Sequence, residues 1–210
     1  FFALVMGAHW TLRSWDARKN VLLFASYIFY GAWNPPFALL LMGSSVVDFY
    51  LGLKMGETAP GAKRRGWLLI SLVVNLGLLG FFKYGNFLLE NCQWLMAQAG
   101  IDYQPPHLDL FLPIGISFVT FEAISYLIDV YRGTIVAQRN PIHVGFFMSF
   151  FPHLIAGPVL RFSNVAGPLH APTVTLTLFE SGIRTFIIGL AKKVLIANTV
   201  SRVADEMFGL

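Results

Sequence analysis

The sequence predicts an all-α, polytopic integral membrane protein in which some of the several transmembrane helices are short, broken or re-entrant. Three observations lead there. Of 210 residues, 56% are hydrophobic and only 12% are charged, about half the charged share of an ordinary soluble domain; the mean hydropathy is +0.63. The apolar residues gather into long runs separated by short basic gaps, where orientation signals of membrane segments belong. Several of those runs are interrupted by proline, which removes a backbone donor and restricts the residue before it.

The other compositional features narrow the class. The net charge of +4 resides in the gaps between apolar runs, so it argues for membrane orientation and against nucleic-acid binding. The 20 phenylalanines suit lipid contact and the headgroup belts. Cys92 is the single cysteine, which excludes an internal disulfide, and no His/Cys/carboxylate set has metal-ligand spacing. No basic n-region or small-residue cleavage site marks a secretory signal. There is no internal repeat, no Gly-x-Ser-x-Gly and no Gly-rich phosphate loop.

Taken in order, Phe1 to Trp10 is apolar but too short to span and reads as the stub of a first helix. Arg13, Arg18 and Lys19 follow, against Asp16. Val21 to Leu53 is a 33-residue apolar stretch broken by Trp33-Asn34-Pro35-Pro36. The gap from Lys54 to Arg65 is basic again. If both basic gaps share one side of the membrane, the stretch between them crosses twice. That requires helices of about 14 and 18 residues, short against the roughly 20 of a full span, turning at Asn34-Pro35-Pro36. Trp67 to Phe82 is the next expected crossing, with Asn75 inside it. Lys83 to Asp109 is expected outside, with YGNFLLENCQWLMAQA lying along the interface and Pro105-Pro106 ending it.

The stretch LPIGISFVTFEAISYLIDVYRG (112–133) reads as a helix from Leu112 to Tyr131, with Pro113 in its first turn. At roughly 100° per residue, Glu122 and Asp129 lie about 20° apart, with Ser125 and Tyr126 flanking the same line and Ser117 and Thr120 roughly opposite. Glu122 sits about 15 Å along that helix, near mid-bilayer. An ionised group there costs at least ~2.5 kcal/mol, so such residues face a partner or a cavity. Two readings stand for each acid: Asp129 pairs with Arg132 at i+3, or lines a path with Glu122; Glu122 is a buried structural carboxylate, or a pocket residue.

Arg132 and Arg139 mark a return to the basic side. His143 to Arg161 is apolar but broken at Pro152 and Gly157-Pro158. In a membrane this is tolerated only where protein or a wet cavity supplies backbone partners, which makes it re-entrant or kinked. His153 lies in that break. Its commoner role is a structural hydrogen bond, and its sharper one is a general base. Arg161 suits an anionic group or a headgroup anchor. His9, His107 and His170 lie in or beside expected loops. Leu176 to Val200 is the last long segment, containing Arg184 and Lys192-Lys193, for which snorkelling is the plain reading.

The tracts FFKYGNF (81–87), LPIGISFVTFEAISYLIDVYRG (112–133) and FFPHLIAGPVLRF (150–162), with ASYIFYGAW (25–33) and GLAKKVLIAN (189–198), together resemble the membrane-bound O-acyltransferase family. The likeness is nearest to its bacterial branch acting in alginate O-acetylation. The resemblance runs over the whole chain. It implies a multi-pass enzyme of the bacterial inner membrane that transfers an acyl group, acetyl in the best-known case, to hydroxyls of an extracytoplasmic polysaccharide such as alginate. It also implies acetyl-CoA or another acyl carrier as co-substrate, no bound cofactor, and exported polysaccharide-modifying partner proteins.

The family's reactive histidine lies in a Trp-His context in the later half. This chain has no Trp-His dipeptide, only His9-Trp10 in reverse order. It is therefore expected to be one membrane domain over 1–210, the front half of a longer acyltransferase, inactive alone, with its catalytic residue beyond 210. Glu122, Ser125, Tyr126, Asp129, His153 and Arg161 are the candidates to line the path, His153 being the one candidate for direct chemistry. The competing class is a transporter or channel, since broken helices and intramembrane carboxylates also build ion sites. An inverted repeat would favour it.

Overall fold

The structure, a computed structural model, describes residues 1–102, 104, 111–154, 157–158, 160–170 and 175–209. The expected Pro105-Pro106 turn, His107 and Asp109 lie outside the described residues, as do Ile155, Ala156 and Val159 of the broken tract. Among the described residues the regular structure is entirely helical, and the chain is an all-α membrane protein. It forms two compact units, Phe1–Gly167 and Pro168–Leu210.

The first unit opens with α1 (Phe2–Thr11), whose first residues pack on the ring of Phe151. α2 (Trp15–Trp33) and α3 (Pro35–Glu57) form the expected hairpin around Asn34. The prolines sit in the first turn of α3, where their missing N–H groups would have had no helical acceptor. Asn34 closes α2 through its N–H on Tyr30 O and accepts from Phe37 and Ala38. The two helices are 19 and 23 residues long, longer than expected, because each continues into the basic gap beside it. Lys19 and Lys54 thus lie within helices.

α4 (Ala62–Gln98) overturns the expected boundary at Phe82. It is one continuous helix of 37 residues, ~56 Å long at 1.5 Å per residue against a hydrocarbon core of ~30 Å. The tract expected along the interface is its far end, and no proline stands between Trp67 and Gln98 to stop the helix. α3 and α4 are each long and apolar enough to cross a membrane. Val73, Leu69 and Phe24 turn outward with most of their surface exposed, as lipid-facing side chains do.

α5 (Ile116–Arg132) packs against α3, α4 and α6. It starts four residues later than expected. Pro113 lies before the helix and accepts the Ile116 N–H. Its C-terminus closes at Gly133, whose φ of 76° lies in the left-handed region that glycine adopts freely, and the N–H groups of Gly133 and Thr134 return to Val130 and Asp129 carbonyls. α6 (Pro141–Ser149) is capped by Asn140, whose Oδ1 accepts the Ile142 N–H at 3.0 Å. The expected break follows: α7 (Phe151–Leu154) is one turn, and α8 (Phe162–His170) begins after the Gly157-Pro158 segment.

The second unit carries α9 (Leu176–Ala191), a π-helical turn (Lys192–Ala197) and α10 (Asn198–Phe208) without interruption. It extends past the expected end at Val200. Arg184 pairs with Glu180 one turn earlier at 3.6 Å, both largely exposed, a contact of the surface kind worth little.

Candidate functional site

The inward face of α5 is where the sequence placed it. Glu122 is 2% exposed, Tyr126 fully buried and Asp129 also buried, with Ser125 half-buried at the edge of the stripe. Thr120 is buried as well, so α5 is enclosed on both sides and its outward face carries Phe118 and Phe121.

The structure brings Glu122 and His153 together. His153 Nε2 lies 3.4 Å from Glu122 Oε2 and 3.1 Å from the carbonyl of Phe147. A carbonyl only accepts, so Nε2 carries a hydrogen and directs it toward both oxygens. Glu122 Oε1 accepts the N–H of Leu160 at 3.3 Å. One carboxylate therefore holds two points of the broken segment, and His153 Nε2 is an anchor; only Nδ1 is left to accept a proton in the neutral ring. Gly157 allows the chain to pass close against the backbone of His153. A Cβ there would sit 2.6 Å from His153 Cα and 2.7 Å from its carbonyl oxygen, inside the backbone itself. The aromatic wall beneath is Tyr126, Phe147 and the fully buried Phe162, with Phe162 5.1 Å from each of the other two rings.

The break obeys the same logic elsewhere. The Phe151 N–H, which opens α7, donates to Ser26 Oγ of α2 at 3.1 Å. The turn before α5 presents the Ile114 carbonyl to Tyr30 Oη at 2.7 Å. Irregular backbone at membrane depth is thus given protein partners.

Two further candidates, Asp129 and Arg161, make no contact with the Glu122–His153 pair that the structure records among the described residues. Asp129 does not pair with Arg132, which is exposed; Asp129 Oδ2 is buried without a hydrogen-bond partner among the described residues. The reason is geometric: Gly133 ends the helix one residue after Arg132, and Asp129 faces the protein while Arg132 faces out. Arg161 is exposed and joins no ion pair among the described residues, although its neighbour Leu160 donates to Glu122.

Two further polar groupings escaped the sequence reading. Asp48 is 1% exposed within α3 and accepts from Asn75 Nδ2 of α4 at 2.6 Å. The signal was a lone acid inside an otherwise apolar run. Tyr126 packs one turn along α3, where a Cβ on Gly52 would meet its ring at 2.9 Å. The second grouping ties α2, α6 and the loop between α5 and α6. Buried Lys19 Nζ lies 2.8 Å from Asp16 Oδ1 and 2.7 Å from His143 Nε2. An ammonium has only donors, so His143 Nε2 accepts and Nδ1 carries the hydrogen toward Gln138 Oε1 at 3.3 Å. The backbone N–H of Gln138 donates to Tyr126 Oη at 3.1 Å. Nothing in the spacing of Lys19 and His143, 124 residues apart, announces this pair.

Among curated proteins, the chain is 43% identical over its full length to a protein of Pseudomonas syringae pv. tomato named alginate O-acetylase AlgI, covering 40% of that protein. It is 44% identical to the protein of the same name in Pseudomonas aeruginosa, over 92% of this chain and 37% of the relative. The chain is a homologue of the alginate O-acetylases. A peptidoglycan O-acetyltransferase of Helicobacter pylori is 34% identical over 90% of this chain and 40% of its own length. This homologue of the acetylases spans about two fifths of the length of the curated relatives it matches. No protein-family profile and no solved structure matches it.

Proposed function

We propose that this chain forms part of a multi-pass O-acetyltransferase of the bacterial inner membrane, acting on hydroxyls of an extracytoplasmic polysaccharide of the alginate kind. The observation that carries the reading is 43% identity over the whole chain to the P. syringae alginate O-acetylase. Acetyl-CoA or another acyl carrier serves as donor, and exported polysaccharide-modifying proteins act with it. The basic ends of α2, α3, α4 and α5 face the cytoplasm, as the lysine and arginine bias of membrane proteins requires. Transfer of an acetyl group from a cytoplasmic thioester to an external hydroxyl needs a route past α5. In this reading Glu122 holds the α7 break and Leu160 in place, with Ser125, Tyr126, Asp129 and Arg161 bordering the route. His153 is a positioning residue, anchored through Nε2, and the proton-accepting chemistry on the acceptor hydroxyl falls to a group beyond these residues.

The test uses the complete gene that carries this segment, expressed in an alginate producer stripped of its own O-acetylase. Acetyl esters are measured on the secreted polymer by NMR. Restored esters, and their loss in Glu122→Ala at equal membrane abundance, support the reading. A protein made and inserted at full level beside a polymer that stays unacetylated refutes it.

A further inference from the structure

The first unit gathers cations at one end. The start of α2, the α3–α4 connection and the α5–α6 loop converge there: Arg64 Nη2 donates to Val130 O at 2.6 Å, Lys19 meets His143, and Gly56 lies against Ala137. Arg13, Lys63, Arg65, Arg132 and Arg139 are all exposed at this end and join no ion pair among the described residues. The local acids offer no relief. Asp16 is engaged with Lys19, Glu57 with Lys54, and Asp129 is buried. Arg13, Lys63, Arg65 and Arg139 moreover stand at helix N-termini, where the backbone dipole adds to their charge instead of offsetting it. Among the described residues the surplus finds no acidic partner at this end.

A second observation fixes the depth. At the same end Arg18 lies 5.7 Å over the Trp10 ring, Lys54 5.6 Å over Tyr50 and Arg64 5.8 Å over Tyr131. Tryptophan and tyrosine collect at headgroup level, so cations resting on such rings lie at phosphate depth and not out in the cytosol. We infer that this end of the α2–α6 bundle is a binding surface for anionic phospholipid headgroups, with the exposed arginines and Lys63 contacting lipid phosphates. This goes beyond acetyl transfer and does not depend on it.

The experiment purifies in detergent the complete protein that carries this segment and adds phosphatidylglycerol, cardiolipin or phosphatidylcholine, reading retained lipid by native mass spectrometry. Each cation near an anionic surface contributes up to about fivefold in affinity. Phosphatidylglycerol and cardiolipin should therefore be retained over phosphatidylcholine, and R65Q/R132Q/R139Q should lose that preference by roughly tenfold or more. The single variants R132Q and R139Q carry the test if the triple variant does not fold. Arg184→Gln, in the second unit and already paired with Glu180, should leave retention unchanged. Equal retention of anionic and zwitterionic lipid, or a preference that survives all the neutralisations, overturns the inference. So does thermal stabilisation by inorganic phosphate alone equal to that by phosphatidylglycerol, which would assign the surface to a soluble anion.

Discussion

Exchange of Glu122 for glutamine is the sharpest probe of the α5–α7 contact, because it keeps the volume and removes only half of the accepting capacity. Both carboxylate oxygens of Glu122 face donors: the Leu160 N–H at 3.3 Å and His153 Nε2–H at 3.4 Å. A glutamine amide has one accepting oxygen and one donating nitrogen, so either orientation sets two donors against each other. The His153 side remains partly satisfied by Phe147 O at 3.1 Å, so the amide should turn its nitrogen toward the ring, and His153 should shift toward Phe147. Leaving one buried donor poorly matched costs about 1–3 kcal/mol, and thermal midpoints of chains near this length move by about 2–4 °C per kcal/mol. A fall of several degrees is expected in a dispersion-monitored melt of the detergent-purified protein. Placing E122Q in a His153→Phe background removes the opposing N–H, and the cost should then shrink; the cycle measures the coupling directly. A melt of E122Q that coincides with the wild type, or a penalty independent of residue 153, would show that this contact does not organise the break.

Two other substitutions follow from the geometry. Gly157→Ala places a methyl group against the His153 backbone, which cannot move aside as a flexible side chain can; overpacking typically costs 1–3 kcal/mol (about that order), so it should lower both the midpoint and, in the complete enzyme, polymer acetylation, whereas Gly167→Ala, which meets nothing, should do neither. Lys19→Met removes the donor to His143 Nε2, and its penalty should be coupled to residue 143 by about 1 kcal/mol or more, read as a His143→Leu exchange that costs less in the K19M protein than in the wild type; additive melts would dismiss the pair as incidental.

Patterns of local origin were legible in the sequence. The Asn34 hairpin, the inward stripe of α5 and the break around Pro152 each follow from proline stereochemistry or from the 3.6-residue period acting on a few neighbouring residues. Boundaries were less so. Lys83 suggested an end that α4 ignores, because a single lysine in a good helical sequence carries no steric reason to stop; Lys83 rests over the Tyr84 ring beside it at 5.4 Å. Pro113 suggested a first turn, yet the chain turns once more at Gly115, whose φ of 79° lies outside the helical region. The pairs Glu122–His153, Asp48–Asn75 and Lys19–His143 were not legible as pairs. Each joins residues on different helices, and only the packing of α2 through α7 decides which polar side chains meet.

These contacts also bear on what polar residues inside such a bundle are for. Ser26 accepts from Phe151, Tyr30 donates to Ile114 and Glu122 accepts from Leu160. In all three cases a side chain on one helix satisfies a backbone group at an end, loop or break of another. An unsatisfied backbone group in hydrocarbon costs several kcal/mol, comparable to the cost of placing a polar side chain there, so the two penalties offset each other when the groups are paired. Irregular backbone and intramembrane polarity are then one feature and not two. Asp48 does not fit this rule: its acceptor oxygen meets the side chain of Asn75 between two uninterrupted helices. Among the described contacts of α3 it is an acid that no backbone irregularity explains, which makes it the residue whose exchange for asparagine separates structural polarity from polarity kept for another purpose.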